Sequence, residues 1–283
     1  ADGARSFYAA DMDGDGDMDL LSASNKDDKI SWYENDGEES FTEHIISTSA
    51  DGAWSVYAED MDGDGDMDAI SASWEDSKVA WYENDGEENF TEHIISTSHY
   101  KASAVYAIDV DEDGDMDVLS ASIDDDTIAW YENDGEESFT EHVISTSADG
   151  AVSVYVEDID SDGDIDVLSA SEHDDKISWY ENDGNENFTE RVISSSVVGA
   201  RGVYAEDVDG DGDMDVLSAA RDAGEVSWFE NDGSENFAEH VISNSCGDVR
   251  YVYAEDVDGD GDMDLLSASR DEDKVVWYEN DGS

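Results

Sequence analysis

Six short acidic loops carry the side chains of this sequence that are best suited to bind a metal ion. The first runs from Asp11 to Asp19 and reads Asp-Met-Asp-Gly-Asp-Gly-Asp-Met-Asp. Nearly the same loop returns every 49 residues, starting at Asp60, Asp109, Asp158, Asp207 and Asp256. Oxygen donors at alternate positions of a tight loop can converge on one hard cation, and glycine at the sixth position permits the sharp turn. Each loop therefore predicts a metal site.

The loop pattern assigns a role to five positions. In the first loop we expect Asp11, Asp13, Asp15 and Asp19 to bind by their side chains and Asp17 by its backbone carbonyl, following the logic of the EF-hand. The equivalent candidates are Asp60, Asp62, Asp64, Asp66 and Asp68; Asp109, Asp111, Asp113, Asp115 and Asp117; Asp158, Asp160, Asp162, Asp164 and Asp166; Asp207, Asp209, Asp211, Asp213 and Asp215; and Asp256, Asp258, Asp260, Asp262 and Asp264. An all-oxygen set favours calcium over zinc or copper, and the high ligand number argues against magnesium. The sequence predicts about six Ca²⁺, one per repeat, and disfavours a merely solvated turn, in which converging carboxylates would repel one another.

Four short strands per repeat are expected to position each loop. In the second repeat the candidate strands are residues 55–59, 69–73, 78–83 and 90–96. Asn84-Asp85-Gly86 is a strong hairpin signal between the last two. A fixed period with four antiparallel strands and no proline is typical of a β-propeller blade. We therefore predict an all-β fold, a single six-bladed β-propeller domain over residues 1–283.

The aromatic columns and the last repeat add two expectations about this propeller. The columns of Tyr8 and Trp32 recur in all six repeats, and we expect them to form core between blades. The sixth repeat reaches Ser283 without a segment equivalent to residues 90–96. The last blade is therefore expected to lack its outer strand and to have an open edge that invites pairing.

Composition restricts the partners. With 79 acidic and 12 basic residues the formal charge is −67, which disfavours nucleic acid and anionic membranes as partners. The sequence has no apolar run long enough to insert in a membrane, and Cys246 is its one cysteine. We expect an extracellular or cell-surface monomer, with edge pairing at the incomplete blade as the alternative to a monomer.

The repeats resemble FG-GAP/VCBS repeats, which build the propeller of integrin alpha subunits, some fungal lectins and many secreted bacterial proteins. The resemblance covers all 283 residues and rests on the Asp-x-Asp-x-Asp-Gly-x-x-Asp loop. It implies that this loop joins the first two strands of each blade and holds calcium at the aspartates named above. The Phe-Gly and Gly-Ala-Pro signatures are absent, so integrin-type partners are not implied.

Differences between the copies concentrate in two columns. At the start of the first strand they are Arg5, Trp54, Ser103, Val152, Arg201 and Arg250, and just after the second strand they are Asn25, Trp74, Ile123, Glu172, Arg221 and Arg270. Both columns belong to the end of the blade opposite the acidic loops, here called the variable face. Variation on one rim of a fixed scaffold is typical of a binding surface.

We predict a ligand site at Arg5, Trp54, Trp74, Arg201, Arg221, Arg250 and Arg270. Closure of the ring would bring the arginines of blades one, five and six together beside the tryptophans of blade two. Arginines beside tryptophans suit an anionic glycan or an extracellular protein. The alternative is that these arginines pair with local carboxylates and that the columns drift neutrally.

The sequence favours a calcium-stabilised binding module over an enzyme. Catalysis needs a unique constellation of residues, whereas almost every polar framework residue here occurs six times. A repeat-amplified or engineered scaffold without a specific ligand is the first alternative, and a polysaccharide lyase-like enzyme is the second.

Overall fold

The protein consists of antiparallel β-sheets, described here from a computed structural model over residues 1–38 and 40–282. These residues form two compact units, Ala1–Ser147 and Ala148–Ser283, with three sheets each. Five sheets have four strands, one has three, and the described residues contain no helix. The prediction of an all-β propeller with six blades and a three-stranded last blade is confirmed.

The first unit contains twelve strands in three blades. They are β1 (Ala4–Ala10), β2 (Asp19–Ser24), β3 (Lys29–Asn35) and β4 (Phe41–Ser47); β5 (Ala53–Glu59), β6 (Asp68–Ser73), β7 (Lys78–Asn84) and β8 (Phe90–Ser96); and β9 (Ala102–Ile108), β10 (Asp117–Ser122), β11 (Thr127–Asn133) and β12 (Phe139–Ser145). The four strands of each blade pair in sequence order. The four strands expected in the second repeat are all present, and their ends differ from expectation by two residues at most.

The second unit contains eleven strands. They are β13 (Ala151–Glu157), β14 (Asp166–Ser171), β15 (Lys176–Asn182) and β16 (Phe188–Ser194); β17 (Ala200–Glu206), β18 (Asp215–Ala220), β19 (Glu225–Asn231) and β20 (Phe237–Ser243); and β21 (Val249–Glu255), β22 (Asp264–Ser269) and β23 (Lys274–Tyr278). In the last blade β23 pairs with β22 alone. Its other edge has no strand partner among the described residues.

Residue size decides how neighbouring blades of one unit pack. The second strand of the second blade, β6, is short and small-residued, and all six of its residues are buried. Large side chains fill the space beside it: Trp32 and Tyr82, each 1% exposed, share a core with Ala53 and Val56. Burial of such aromatics supplies much of the stabilisation of a small core.

The two aromatic columns have different environments. Trp32, Trp81, Trp130 and Trp179 are buried as expected, but Trp277 in the three-stranded blade is 45% exposed. The tyrosines are not fully buried, because they stack on one another along the first strands, and Tyr253 is 45% exposed. The ring centroids are 4.3 Å apart for Tyr8 and Tyr57, and 4.4 Å apart for Tyr57 and Tyr106.

The outer strand of each complete blade covers the tryptophan of the strand beside it. His44 stacks on Trp32 with ring centroids 4.4 Å apart, and its Nε2 lies 2.8 Å from Glu34. In the fourth blade Arg191 replaces the histidine and lies over Trp179. The histidine column thus has a structural role. No helix in the described part of the chain could span a membrane.

Candidate metal centre and variable face

In five of the acidic loops the structure brings together three of the four carboxylates that the sequence predicts as side-chain ligands. In the first loop, oxygen atoms of Asp11, Asp13 and Asp15 lie within 4.8 Å of one another. In the next four loops the first, third and ninth aspartates converge within the same distance, as Asp60, Asp62 and Asp68 do. Such a group can hold one cation between its oxygens.

Hydrogen bonds inside the loop explain why this sequence folds into a cradle. Asp11 Oδ2 accepts from the amide of Gly16 at 3.0 Å. Asp13 Oδ1 accepts from the amide of Asp15 at 3.1 Å, and Asp15 Oδ1 accepts from the amide of Asp17 at 2.8 Å. Short polar side chains that bond to amides two residues ahead favour tight turns over strands. The alternating aspartates therefore determine the conformation of the loop through these hydrogen bonds, in addition to giving it negative charge.

The ninth aspartate has a structural role that the loop pattern did not indicate. Asp68 is buried; its Oδ2 accepts from the amide of Met61 at 3.0 Å, and its Oδ1 accepts from the amide of Asn84 at 2.7 Å. The same two bonds recur at Asp19, which ties the start of the loop to the end of β3. Each carboxylate oxygen has a second lone pair, so these bonds leave the residue able to bind a cation.

The seventh aspartate packs against the hairpin that follows β7. A Cβ atom added to Gly86 would lie 2.4 Å from Asp66 Oδ2, and Gly86 has a positive φ of 71°. The same approach joins Asp17 to Gly37. Binding by the backbone carbonyl of Asp66, as predicted, would leave its side chain free to make this contact.

Two properties of the loops fit a bound cation. Oδ1 of Asp11 and Oδ1 of Asp60 are buried and accept no hydrogen bond within the described residues. Burial also raises the pKa of the ninth aspartate, to about 7 at Asp68, Asp117 and Asp166 and to about 6 at Asp215. Unpaired, partly desolvated carboxylate oxygens are unfavourable until a cation neutralises them. The donor set is all oxygen, which suits a hard cation such as calcium.

The third aspartate of each loop also has a raised pKa. Burial raises its pKa, and the neighbouring carboxylates of the loop push the pKa in the same direction, at Asp13, Asp62, Asp111, Asp160, Asp209 and Asp258. The ninth aspartate of the last blade differs, because the amide of Asn280 lowers the pKa of Asp264. Each of the six loops therefore holds at least one carboxylate whose ionisation is unfavourable without a counter-charge.

The asparagine before each hairpin is a key residue that sequence reasoning missed. The Asn84 side chain donates to the carbonyl of Met67 in its own loop at 3.1 Å and to the carbonyl of Met12 in the preceding blade at 3.3 Å. Its Oδ1 accepts from the amide of Gly86 at 3.3 Å. We interpreted Asn-Asp-Gly only as a turn signal. Its recurrence in six copies was the available clue to a wider role.

On the variable face of the first unit, the predicted tryptophans form a closed stack. Trp54 and Trp74 follow the paired residues Ala53 and Ser73, and their rings lie 4.3 Å apart. The Arg5 guanidinium lies over Trp54 at 4.1 Å, and Lys101 Nζ lies 4.9 Å from the centre of Trp74. The structure thus joins Arg5, Trp54 and Trp74 as predicted, but cations of the chain itself already occupy the outer ring faces.

On the variable face of the second unit, the predicted arginines are paired with carboxylates. Glu172 lies between Arg201 and Arg221 and forms an ion pair with each. Asp248 accepts two hydrogen bonds from Arg250, at 3.0 and 2.9 Å, and forms an ion pair with Arg270 at 2.7 Å. Local pairing of the arginines, the alternative to a free cationic cluster, is therefore observed in this unit.

A polar cleft of about 530 Å³ opens beside these ion pairs. Its lining includes Arg221, Arg250 and Arg270 together with Asp222 and Asp271. The Arg270 side chain is 61% exposed and that of Arg221 is 28% exposed, whereas Arg250 is only 15% exposed. Arg221 and Arg270 are therefore the arginines that a ligand in the cleft could reach.

The repeats match a known family along most of the chain. The profile of the FG-GAP-like repeat matches residues 11–71, 60–120, 109–169, 158–218 and 207–267. Each match begins at the first aspartate of an acidic loop and ends in the second strand of the next blade. No protein with a curated description matches the sequence.

Solved structures share the fold at low sequence identity. A lectin of Agrocybe aegerita that recognises non-reducing terminal N-acetylglucosamine has a TM-score of 0.64 and 18% identity, over 98% of this chain and 80% of the lectin. A catalytically inactive virginiamycin B lyase of Staphylococcus aureus, solved with quinupristin, has a TM-score of 0.69 and 13% identity, over 99% and 82%. A putative 6-phosphogluconolactonase of Bacteroides fragilis has a TM-score of 0.70 and 13% identity, over 98% and 80%. At these identities the likeness concerns the fold alone.

Proposed function

The chain belongs to the FG-GAP repeat family, and on that premise we propose that it is an extracellular calcium-binding β-propeller that binds a carbohydrate or protein ligand. Calcium is structural in this proposal, with about six ions, one per acidic loop. The observation that carries it is the convergence of three carboxylates in each of five loops, with buried oxygens of Asp11 and Asp60 that lack a hydrogen-bond donor. No catalytic step is assigned.

The proposed location of the protein rests on the proposed calcium sites. Flexible all-oxygen loops in extracellular modules bind calcium at roughly 10⁻⁴–10⁻³ M, a concentration present outside cells but not in the cytosol. The formal charge of −67 also favours a calcium-rich or saline medium that screens self-repulsion. Both arguments support an extracellular or cell-surface protein. The negative charge also opposes binding to nucleic acid, and the sequence has no apolar run long enough to insert in a membrane.

The cleft of the second unit is the proposed ligand site. In a chain with 12 basic residues, Arg201, Arg221, Arg250 and Arg270 meet on one face. All four arginines form ion pairs. Arg221 and Arg270 are the more exposed two, so each could exchange a carboxylate of the chain for a carboxylate of a ligand. A planar guanidinium recognises a carboxylate with two parallel hydrogen bonds. An acidic sugar or a carboxylate-bearing peptide is therefore the proposed class of ligand.

The competing candidate is a propeller scaffold without a specific ligand. It is favoured by the ion pairs themselves, since the charges of all four arginines are balanced by Glu172, Asp222, Asp248 and Asp271. Binding must then replace existing ion pairs, which reduces the net gain. The two candidates differ in whether any glycan binds in the presence of calcium.

A glycan array in calcium tests the ligand proposal. We expect acidic glycans to bind the native chain and to be lost from the double variant Arg221→Ala/Arg270→Ala, with the fold retained because Arg201 and Arg250 still pair with Glu172 and Asp248. The matched control is Lys26→Ala, which removes a cation that is 66% exposed and outside the second unit. Absence of acidic binders, or equal binding by the double variant, contradicts the proposed site and favours the scaffold.

A further inference from the structure

Two asparagines that directly precede outer strands stand in the sequence context of N-linked glycosylation. The segments Asn89-Phe90-Thr91 and Asn187-Phe188-Thr189 are the two places in the chain where a serine or threonine follows an asparagine by two positions. An oligosaccharide is attached to asparagine in the motif Asn-x-Ser/Thr, where x is not proline. Because the motif is short and also arises by chance, its surroundings in the fold decide whether it can serve.

Both motifs present their asparagine and threonine to solvent. Asn89 directly precedes β8, and Thr91 is the second residue of that strand; both are exposed. Side chains of an extended segment point alternately to its two sides, and Phe90 between them is partly buried against a core of its unit. The amide of Asn89 and the hydroxyl of Thr91 therefore share the solvent side. Asn187 and Thr189 occupy the same positions before and in β16 and are also exposed.

The turn before the outer strand does not depend on the asparagine side chain. The backbone amide of Asn89 donates to Asp85 Oδ1 at 3.2 Å, and the amide of Ser138, in the same place of the third blade, donates to Asp134 Oδ1 at 3.1 Å. Asn89 adds bonds from Nδ2 to the two oxygens of Asp85 at 3.2 and 3.0 Å. Glycosylation replaces one of the two Nδ2 hydrogens and leaves the other for this contact. A sugar at Asn89 is therefore compatible with the folded hairpin.

The fifth blade has the same hairpin geometry without the motif. Asn236 directly precedes β20, and its Nδ2 donates to Asp232 at 3.2 and 3.1 Å. In the fourth blade Asn187 Nδ2 donates to Asp183 at 3.0 and 3.1 Å. Two residues after Asn236 the chain has Ala238 in place of a threonine, so the hydroxyl that the motif requires is missing. This blade therefore separates the motif from the geometry.

We propose that Asn89 and Asn187 are acceptors of N-linked oligosaccharides. The donor is a lipid-linked oligosaccharide pyrophosphate. A bond forms between the asparagine Nδ2 and C1 of the first sugar, and the bond between C1 and the pyrophosphate oxygen breaks. The electron pair of that bond leaves with the lipid pyrophosphate, and one Nδ2 proton passes to a base of the transferase. The inference rests on the proposed extracellular location, because the motif is used in secreted proteins.

The position of the two acceptors agrees with the proposed ligand cleft. The hairpin that carries Asn89 contacts the acidic loop of its own blade, where Gly86 lies against Asp66. The hairpin of Asn187 makes the same contact between Gly184 and Asp164. Both oligosaccharides therefore stand at the acidic-loop end of their blades, opposite the variable face, and leave that face uncovered.

The test expresses the full chain behind a secretion signal in a eukaryotic cell and maps its oligosaccharides by mass spectrometry. We expect one oligosaccharide at Asn89, one at Asn187 and none at Asn236. Treatment with peptide N-glycosidase should remove both and leave aspartate at the two acceptor positions. The protein retained in the secretory membranes is measured together with the secreted protein, so poor secretion does not hide the result.

A pair of threonine variants tests the motif while keeping the acceptor. Thr91→Ala removes the hydroxyl and should abolish the oligosaccharide at Asn89 alone. Thr42→Ala is the matched control, because Thr42 is the equivalent residue of the first blade, where Ser40 stands in place of the asparagine. We expect the control to change no oligosaccharide. Both threonines are exposed, so both variants should melt in calcium like the native chain.

The variant Ala238→Thr tests whether the hairpin position makes an acceptor once the motif is complete. Ala238 is exposed, and we expect the variant to gain a third oligosaccharide, at Asn236. Three results would overturn the proposal. They are an unoccupied Asn89 or Asn187 in the native chain, an oligosaccharide that persists at Asn89 in Thr91→Ala, and an unoccupied Asn236 in Ala238→Thr.

These results are distinguishable from a failure of the proposed function. If acidic glycans do not bind but Asn89 and Asn187 carry oligosaccharides, the proposed ligand cleft is contradicted and the acceptor sites stand. If the chain is secreted and folded in calcium without oligosaccharides, the acceptor sites are contradicted and the calcium and ligand proposals stand.

Discussion

Two glycines of the second blade have the same backbone conformation but different surroundings. Gly63 in the acidic loop has a φ of 72°, and Gly86 in the hairpin has a φ of 71°. A Cβ at Gly63 would meet nothing within 4 Å, whereas one at Gly86 would lie 2.4 Å from Asp66. Glu112 and Ser161 occupy the place of Gly63 in other blades at a φ of 61°. Only Gly86 therefore combines the left-handed conformation with a steric requirement.

Substitution of each of these two glycines by alanine separates the cost of the left-handed backbone from the cost of the steric contact. Both substitutions should cost about 1–2 kcal/mol of unfolding free energy for the left-handed backbone, and Gly86→Ala should cost about 0.5–1.5 kcal/mol more because the Asp66 side chain must leave its rotamer. Calcium affinity should fall in Gly86→Ala alone. Chemical denaturation and calcium titration of both variants measure these differences. Equal costs and equal affinities would show that the contact between the hairpin and the loop is not tight.

At the scale of the strands, a single asparagine side chain joins three elements. Asn84 is 4% exposed and connects the end of β7, its own acidic loop and the loop of the preceding blade. Asn133 repeats these bonds to Met116 and Met61. Because the ninth aspartate also accepts from the amide of the same asparagine, the acidic loop and the contact between blades share one hydrogen-bond network.

We predict that Asn84→Ala destabilises the protein by about 1–3 kcal/mol, since it leaves buried carbonyls of Met12 and Met67 without donors. Asn89→Ala is the matched control on the same hairpin. Asn89 is exposed and bonds mainly to Asp85, so the cost should stay near 0.5 kcal/mol, about the usual limit for surface changes. Urea denaturation in calcium measures both. Similar costs would remove the special role of the buried asparagine.

The strands were predictable because their signals are local. Alternation, small residues in the second strand and the Asn-Asp-Gly turn are each properties of fewer than ten consecutive residues. The sequence did not reveal the register shift between Ala53 and Ser55, because the predicted strand began only at residue 55. The role of Asn84 was hidden for another reason: Met12, one of its partners, is 72 residues away.

The clusters of carboxylates were predictable and the variable face only in part. Repetition marks Asp60, Asp62 and Asp68 as a set, and the structure brings them together. The arginine columns were correctly placed at one end of the blades, but Arg201 and Arg221 share a carboxylate partner in the neighbouring blade, which was not predicted. Arg201, for example, pairs with Glu172, which is 29 residues away. Register between blades decides such pairs, and no local pattern encodes it.

At the scale of the whole molecule, charge is the dominant feature. The formal charge is −67, and six Ca²⁺ would reduce it only to −55. Self-repulsion of this size opposes the compact state, and the loops concentrate it where carboxylates lie closest. Cations that bind the folded chain and not the unfolded one stabilise it through mass action. In this proposal the chain therefore needs bound calcium in order to fold.

The central claim is that calcium holds the acidic loops together, and calorimetric melting with and without calcium tests it most directly. At a free calcium concentration of 100 times Kd each site contributes about 2.7 kcal/mol, and a domain of this size shifts by roughly 2–4 °C per kcal/mol. Six sites then predict that EDTA lowers the melting temperature by tens of degrees or unfolds the chain, and that titration restores it with about six Ca²⁺ per chain while magnesium does not. A melting temperature that is the same in calcium and in EDTA would contradict the claim.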